Sequence, residues 1–335
     1  MPASLIQRVP ASSQRAVAAP TGSAAASPLS GISIDMHQLL YNNKAMSRLA
    51  IVTGATRNLG FYIAQGLAKR LEPSDTVYLT GRSAARVTES VQLLSGARAQ
   101  VRGEVLDVSK QDSVERFAMS LVEPRGGVDI VFSNHYTRVQ PEDDPSRVID
   151  DYVEANNLGT TRVLRSFAPL LRDGGRLFVV ASRAGSLRAL APALHPRFQN
   201  LRSLDDVDRA ICTWRDEVRS RRAPGRAWPA WINIPSKIGQ VAAVRVLAGQ
   251  RRDDDLRRGI LIAALSPGLI DTGASRPWLD VRGAPGPEEV AGPLIELAFN
   301  PSPDESFYGE LVHVGRDEPG PFGSVVQSGS IVPWT

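Results

Sequence analysis

The sequence predicts an α/β protein whose parallel sheet carries helices on both faces. From residue 46 onward, short runs of β-branched and apolar residues alternate with longer amphipathic segments. The strand-like runs are apolar at nearly every position, which is typical of parallel strands that are buried on both sides. A glycine-containing turn follows the first run and opens the first helix. We therefore expect one doubly wound α/β domain.

Individual elements follow from the same alternation. Six segments read as buried strands, and a seventh could add a last strand near the C-terminus. The predicted strands are Leu49–Thr53, Thr76–Thr80, Gln100–Leu106, Asp129–Ser133, Leu177–Ala181, Leu261–Leu265 and Leu311–Val314. The predicted helices are Phe61–Leu71, Val114–Val122, Val148–Leu171 and Ser236–Ala248, the last of which Gly249 closes.

Three segments stand apart from this pattern. Residues 1–45 are rich in Ala, Ser and Pro and are expected to form a disordered leader, with a targeting peptide as the alternative. The domain is expected to span residues 46–318, with residues 319–335 as a tail. Residues 183–227 interrupt the alternation with prolines, arginines and one helical stretch near Leu204–Ser220. Such a long insertion is usually a lid or binding loop, so we expect it to cover the mouth of the site.

Composition excludes several classes of function. The formal net charge is only +4, and no run of Lys and Arg suggests a nucleic-acid or membrane surface. No apolar stretch approaches the length of a membrane span. Cys212 is the only cysteine, which excludes intrachain disulfides and a cysteine-based metal site, and no metal site is expected. A reducing cytoplasm is the compartment that fits best.

The turn after the first strand has the pattern of a dinucleotide site. Small residues let the backbone approach a pyrophosphate, and the N-terminus of the next helix faces its charge. Any tight strand–helix turn can use glycines, but the position after strand one favours a Rossmann-type site. The candidate cofactor residues of this turn are Gly54, Thr56, Arg57, Asn58, Leu59 and Gly60.

The end of the second strand indicates which dinucleotide binds. A site that prefers NAD places a carboxylate there for the ribose 2′-hydroxyl, and Leu79-Thr80-Gly81-Arg82-Ser83 has none. Arg82 and Arg57 could instead pair with a 2′-phosphate, although both could also be solvated surface arginines. NADP(H) is therefore the expected cofactor.

Further residues recur in order along the rest of the chain. They are Asp107-Val108, Asn134, Asn156, Ser182, Lys237, Pro267-Gly268 and Thr272. With the glycine turn, they make residues 48–315 resemble the short-chain dehydrogenase/reductase family, and most nearly its monomeric carbonyl reductases. Those proteins share the long insertion and a Trp-Pro pair such as Trp228-Pro229.

The resemblance implies a role for each of these positions. Asp107 would contact adenine, although a helix cap is the competing role. Asn156 would hold a water in a proton relay, Ser182 would bond the substrate oxygen, and Lys237 would hold the nicotinamide ribose. Pro267, Gly268 and Thr272 would lie beside the carboxamide, while Asn134 alone remains of an Asn-Asn-Ala-Gly motif. Asn58 replaces the middle glycine of the turn, and asparagine tolerates the positive φ that such a turn requires.

One expected residue is missing. The family's Tyr-x-x-x-Lys should end at Lys237, but Asn233 occupies the tyrosine position. An amide can donate a hydrogen bond but cannot release a proton at neutral pH. Loss of a general acid typically costs roughly 10²–10⁴-fold in rate.

Three interpretations of the site remain open. Tyr136 or His135 could supply the proton, or could simply pack in the pocket wall. A reductase acting on a carbonyl, imine or iminium fits the retained residues best, with Ser182 and Asn233 polarising the acceptor. A non-redox cyclase or isomerase and a cofactor-binding pseudoenzyme are the alternatives. Because the insertion should obstruct the helices through which relatives assemble, we expect a monomer.

Overall fold

Parallel strands form the centre of the protein. The computed structural model describes residues 47–319 and 325–335, except the side chains of residues 122–125 and of Pro319, and the predicted leader lies outside the described residues. The strands are β1 (Leu49–Val52), β2 (Thr76–Gly81), β3 (Gln100–Val105), β4 (Val128–Ser133), β5 (Leu171–Val180), β6 (Leu261–Ser266), β7 (Leu311–His313), β8 (Glu318–Pro319), β9 (Val325–Val326) and β10 (Ser330–Ile331). The predicted strands are thus all found, within a few residues.

The order of the strands locates the crevice of the fold. The described main sheet runs β10-β7-β6-β5-β4-β1-β2-β3, and only β10 is antiparallel to its neighbour. Strand β1 pairs with β2 on one side and β4 on the other, so the chain reverses its direction of travel across the sheet there. Ligands of such sheets bind beyond the carboxyl ends of the strands at this reversal. The doubly wound fold that the sequence predicts is confirmed.

The sheet does not bury all its strands equally. Every residue of β1 is inaccessible to solvent, whereas most of β3 is exposed. The expectation that β3 is buried is wrong because β3 lies at the edge of the sheet and has one neighbour. An edge strand is covered on fewer sides than a central one.

Helices cover both faces of the sheet. They are α1 (Asn58–Arg70), α2 (Ala84–Leu93), α3 (Gln111–Arg125), α4 (Pro145–Val153), α5 (Gly159–Phe167), α6 (Pro196–Gln199), α7 (Leu204–Arg219), α8 (Asn233–Arg257) and α9 (Pro287–Phe299). The sequence pattern gave no indication of α2 or α9. Helix α8 continues past Gly249, contrary to expectation. The buried carboxylate of Asp255 accepts hydrogen bonds from Arg251, one turn earlier in the helix, and from the Tyr308 hydroxyl, and these bonds stabilise the added turns.

The long helix predicted over Val148–Leu171 is interrupted. Between α4 and α5, Glu154–Leu158 forms one π-helical turn, and a short 3-10 turn follows α5. The Asn156 carbonyl accepts two side-chain hydrogen bonds, one from Thr160 Oγ1 and one from Gln240 Nε2 of α8. A side chain that enters the helical ladder in this way is a usual cause of such a bulge, and π-bulges often mark functional sites.

The helix of the insertion packs on other helices of the domain. Its helix α7 packs against α4, α5 and α8: Arg215 Nε lies 3.5 Å from an Asp150 carboxylate oxygen, and Thr161 Oγ1 donates to Asp208 at 2.8 Å. Ile211 fills the space that a Cβ on Gly239 would need. Helix α7 thus covers the long helices, while the interpretation of residues 183–227 as a lid stays a prediction.

The C-terminal residues, which the sequence interpretation treats as a tail, contribute to the sheet. Ser330 and Ile331 pair with β7, and the Leu187 amide bonds the Trp334 carbonyl. Within the described residues, no helix combines the length and apolar character needed to cross a membrane.

Two glycines of α8 allow a matched test of this packing. A Cβ at Gly249 would meet nothing within 4 Å, so Gly249→Ala should raise the free energy of unfolding by about 1 kcal/mol. A Cβ at Gly239 would lie 2.4 Å from Ile211 Cδ1, so Gly239→Ala should destabilise the protein. Chemical denaturation of both variants measures the two changes, and equal changes would contradict the placement of α7 on α8.

Candidate active site

The turn after β1 has the conformation that its sequence predicts. Gly54 adopts a φ of +62°, and a Cβ there would lie 2.7 Å from the His135 Cα. Asn58 adopts a φ of +49°, as expected for an asparagine in place of a glycine. A Cβ at Gly60 would lie 2.5 Å from the Gly54 carbonyl oxygen, so the turn and the first turn of α1 are in contact.

Asn134 holds this turn against the end of β4. Its backbone amide donates to Thr53 Oγ1 at 2.9 Å, and its side-chain nitrogen lies 3.3 Å from the carbonyl oxygens of both Thr53 and Gly54. The His135 amide also donates to Thr53 Oγ1, at 3.2 Å. Residue 134 therefore acts through the glycine turn, whose shape it fixes.

A groove of about 260 Å³ opens beside the turn. The described residues that line it are Gly54, Thr56, Arg57, Gly81, Arg82, Ser83, Arg86, Leu106, Val108, His135, Tyr136, Thr137 and Ala155. No Asp or Glu is among them. The groove follows the crevice between β1 and β4 and continues past the end of β2, where the sequence places a 2′-phosphate.

The charge of the groove is strongly positive. Partial burial, then Arg138, Arg86 and Arg82, lower the pKa of Arg57, so four guanidinium groups lie within electrostatic reach of one another. Among the described residues, none of the four has a carboxylate partner. Guanidinium groups without counter-charges favour an anionic ligand, and phosphate oxygens match their geometry.

Two predicted cofactor residues have other roles. The Leu59 side chain is buried in the core beneath α1 and does not line the groove. Asp107 Oδ1 accepts hydrogen bonds from the Ser109 amide at 3.0 Å and hydroxyl at 2.7 Å, so it closes a turn before α3 and does not cap that helix. Its neighbours Leu106 and Val108 line the groove instead.

Ser182 and Lys237 both lie near the carboxyl end of β5. The Lys237 ammonium donates to the Val180 carbonyl at 3.0 Å, and burial lowers its pKa to about 8. Ser182 Oγ accepts from the Ala184 amide at 3.2 Å and has no acceptor for its own hydrogen in the described part of the chain. A Cβ at Gly185 would lie 3.0 Å from the Lys237 carbonyl oxygen, so the turn after Ser182 contacts α8 directly.

Two tyrosines contact the residue that replaces the family's acid. Tyr152 donates its hydroxyl to Asn233 Oδ1 at 3.0 Å, and Tyr136 donates to the same oxygen at 3.4 Å. The two rings are perpendicular, with centroids 6.1 Å apart. The oxygen of the amide faces both phenols, and the amide nitrogen has no partner among the described residues. That nitrogen is available to donate to a ligand.

Tyr136 lies at the surface of the groove and over Lys237. The Lys237 ammonium is 5.5 Å from the centre of the Tyr136 ring. Burial raises the pKa of Tyr136, while the hydroxyl of Tyr152 and the charge of Arg138 act in the opposite direction. Tyr136 is 36% exposed, so its hydroxyl can reach solvent or a ligand, and at neutral pH it carries its proton.

His135 cannot serve as the alternative proton donor. It is buried, with Nδ1 2.9 Å from Thr53 Oγ1 and Nε2 3.5 Å from Thr160 Oγ1. Burial, then the charge of Lys237, lower its pKa to about 3, so it is neutral at physiological pH. For His135, packing in the pocket wall is the better interpretation.

Asn156 does not have the arrangement that the family resemblance implies. Its side chain bonds both backbone groups of Thr137, accepting from the amide at 2.7 Å and donating to the carbonyl at 2.9 Å. Its own carbonyl accepts from Gln240 Nε2 and Thr160 Oγ1, each at 2.8 Å. Protein groups thus occupy the positions where a relay water would bind, and Asn156 positions the segment that carries Tyr136.

The loop after β6 is closed by its own contacts. Thr272 Oγ1 accepts from the amides of Ala274 and Ser275, both at 3.2 Å. Gly268 adopts a φ of +78°, and a Cβ there would lie 2.6 Å from Glu318 Oε1, which also accepts from the Leu269 amide. Glu318 in turn pairs with Arg183, the neighbour of Ser182, at 3.0 Å. The loop is therefore fixed beside the serine.

Sequence reasoning missed several residues of this site. Tyr152 gave no signal, because one tyrosine on a predicted amphipathic helix resembles any core aromatic residue. Arg86 and Arg138 are surface arginines in sequence terms, and only the fold brings them to Arg57. In residues 47–319 and 325–335, no cluster of His, Cys, Asp or Glu side chains is arranged to hold a metal ion.

Comparison with known proteins supports this description. The short chain dehydrogenase family model matches residues 48–192, a span that ends before Asn233 and Lys237. Carbonyl reductase [NADPH] 1 of Mus musculus is 29% identical over 279 residues, 81% of this chain and 98% of that protein. Carbonyl reductase [NADPH] 3 of Rattus norvegicus is 28% identical, over 79% of this chain and 96% of that protein.

Solved structures share the fold. Salutaridine reductase from Papaver somniferum superposes with a TM-score of 0.65 at 20% identity, covering 79% of this chain and 99% of that one. Menthone neomenthol reductase from Mentha piperita superposes with a TM-score of 0.63 at 19% identity, covering 80% of this chain and 99% of that one. At these identities the likeness concerns the fold alone. The strand order, the glycine turn, the family model and the carbonyl reductase relatives agree: the chain resembles the short-chain dehydrogenases/reductases, and among them the carbonyl reductases.

Proposed function

We propose that this protein is an NADP(H)-dependent oxidoreductase that reduces a carbonyl, imine or iminium carbon of a small, largely apolar molecule. The observation that carries the proposal is the groove at the carboxyl edge of the sheet. Its described lining presents guanidinium groups without carboxylate partners and no carboxylate. It also includes Tyr136, whose ring lies 5.5 Å from the Lys237 ammonium and whose hydroxyl bonds Asn233. The carbonyl reductases that the chain resembles carry NADPH in their names.

The residues of the groove fit this cofactor. The N-terminus of α1, with Gly54 and Thr56, would face the pyrophosphate. Arg57, Arg82 and Arg86 would hold the 2′-phosphate, which NAD(H) lacks. Lys237 would bond the nicotinamide ribose, and Pro267, Gly268 and Thr272 would border the carboxamide. When bound, the nicotinamide supplies the hydride.

Two groups of the chain would polarise the acceptor. The Asn233 amide nitrogen and the Ser182 hydroxyl hydrogen are both without partners among the described residues. Both are donors, and donors held in place stabilise the negative charge that develops on a carbonyl oxygen during reduction. Asn233 thus keeps one of the two tasks of the family's tyrosine.

Tyr136 would perform the other task, proton donation. Its hydroxyl bonds the Asn233 side chain, so it lies next to the position of the missing acid. It is protonated at neutral pH, and the Lys237 ammonium beneath its ring stabilises the phenolate left after donation. In carbonyl reduction, the proton passes from the Tyr136 oxygen to the substrate oxygen. An iminium carbon needs no proton, because hydride addition gives a neutral amine.

Aromatic residues favour an apolar substrate. Trp231, two residues before Asn233, stacks on Trp278 at 5.4 Å with an interplanar angle of 22°. Trp278 Nε1 donates to the Val139 carbonyl at 3.2 Å, which ties the pair to the segment that follows Tyr136. These flat apolar surfaces beside the donors would bind a ring or an alkyl chain.

Arg82→Ser tests the choice of cofactor. The variant should bind NADPH at least about tenfold more weakly while its affinity for NADH stays the same, because only the 2′-phosphate contact is lost. Titration calorimetry measures both. Arg102→Ser, which removes the same charge from an exposed position on β3, is the control. Equal loss of NADPH and NADH affinity in the Arg82 variant would contradict the assignment.

Tyr136→Phe tests the proton donor. The rate of ketone reduction should fall roughly 10²–10⁴-fold, because the general acid is lost. Reduction of a preformed iminium should stay within a factor of a few. Adding Asn233→Tyr to the Tyr136 variant should restore part of the ketone activity. Substrate-dependent loss of NADPH absorbance follows each reaction, with Tyr62→Phe on α1 as the control.

The outcomes of that experiment separate the possible functions. Unchanged ketone reduction by the Tyr136 variant would exclude Tyr136 as the donor. Product formation by the wild type without consumption of NADPH would instead indicate a cyclase or isomerase. No turnover of any substrate, with NADPH bound, would indicate a pseudoenzyme.

We also propose that the protein is a monomer. Helix α7 packs across α4 and α8, and Trp214 of α7 is completely buried in the described structure. The helix thus occupies a face that would have to be free for assembly through those long helices. Sedimentation equilibrium should give a single species of one chain, and a stable dimer or tetramer would contradict the proposal.

A further inference from the structure

Tyr152 is a buried phenol for which the mechanism above has no role. It lies on α4, its side chain is completely inaccessible, and its hydroxyl donates to Asn233 Oδ1 at 3.0 Å. Tyr136 donates to the same oxygen at 3.4 Å. Two phenols from different elements therefore converge on one acceptor, which brings their hydroxyl groups close together.

The convergence matters when Tyr136 loses its proton. A phenolate oxygen can no longer donate to Asn233, and it needs donors of its own. The Tyr152 hydroxyl is the neighbouring donor, and it can turn its hydrogen from Asn233 Oδ1 to the Tyr136 oxygen without moving its ring. A hydrogen bond to a charged oxygen is stronger than one to a neutral amide.

We propose that Tyr152 is a positioning residue that orients the Asn233 amide before the reaction and donates to the Tyr136 phenolate after proton transfer. The inference rests on the proposed function, in which Tyr136 is the acid. The Tyr136 O–H bond breaks and the proton forms a bond with the substrate oxygen. Tyr152 keeps its own proton, and Tyr136, being partly exposed, recovers one from water.

The other charged groups around Tyr136 are few. Lys237 of α8 lies below the ring, and Arg138 lies on the same segment. His135 is neutral, and no carboxylate is among the described residues that line the groove. Both cations also favour the phenolate, so their contribution remains when the Tyr152 hydroxyl is removed. A change on removal of that hydroxyl would therefore report on Tyr152.

Tyr152→Phe tests the inference. Two groups shape the basic side of the kcat profile: Lys237, whose pKa is about 8, and Tyr136, whose raised pKa gives the limb at higher pH. Tyr136 must be protonated to act, and the Tyr152 bond lowers its pKa by stabilising the phenolate. Without the bond, the Tyr136 limb should move about one to two pH units higher, while the Lys237 limb stays in place. At neutral pH, kcat for a ketone should fall about tenfold or more. The KM for NADPH and the rate with a preformed iminium should not change.

Controls separate this role from a structural one. Tyr308→Phe removes another buried phenol, which bonds Asp255 far from the groove, and should lower stability without moving the limb. Asn233→Ala removes the shared acceptor and leaves the Tyr152 hydroxyl to Tyr136 alone, so its limb should move lower. This variant keeps the inference testable if Tyr152→Phe does not fold.

Three results would overturn the inference. In the first, the Tyr136 limb of the kcat profile does not move in Tyr152→Phe. In the second, that limb does not move in Asn233→Ala. In the third, Tyr152→Phe lowers ketone and iminium reduction equally. If Tyr136→Phe itself leaves ketone reduction unchanged, the proposed function fails as well. If Tyr136→Phe abolishes it and Tyr152→Phe changes nothing, only the role of Tyr152 fails.

Discussion

The hydroxyl of Thr53 is the contact on which both ends of the site depend. It accepts from the amides of Asn134 and His135, so the end of β1 and the end of β4 are held as one unit. The glycine turn begins at the next residue after Thr53, and Tyr136 follows one residue after His135. One side-chain hydroxyl therefore holds the glycine turn next to the segment that carries the candidate proton donor.

The cofactor end and the reactive end of the site differ in the burial of their charged groups. The guanidinium groups of the groove are partly exposed, so their repulsion is screened and they cost little when the groove is empty. Lys237 is buried, and desolvation lowers its pKa, so its charged form is less favourable in the folded protein than in water. A buried ammonium, a neutral histidine and two protonated phenols surround the reactive end, and the nearby carboxylate of Glu318 is paired with Arg183. Such a site favours groups that become negative during reaction.

The sequence predicted the strands, the turn and the family's residues because each has a local pattern. It could not predict that α8 passes Gly249, since the reason is the non-local bond between Asp255 and Tyr308. Nor could it show that protein donors fill the acceptor sites of Asn156, because those donors come from α5 and α8. The convergence of Tyr136 and Tyr152 likewise requires the three-dimensional arrangement of a strand end and two helices.

The exchange of tyrosine for asparagine at position 233 is better understood with its neighbours. The family's tyrosine both donates a hydrogen bond to the substrate and supplies the proton. Here an amide oxygen receives two phenols, which leaves the amide nitrogen to donate and leaves Tyr136 exposed beside it. The two tasks can thus be divided between two side chains. A divided site has a consequence that a single tyrosine lacks: the hydrogen bond from the Asn233 amide to a carbonyl oxygen survives loss of the acid.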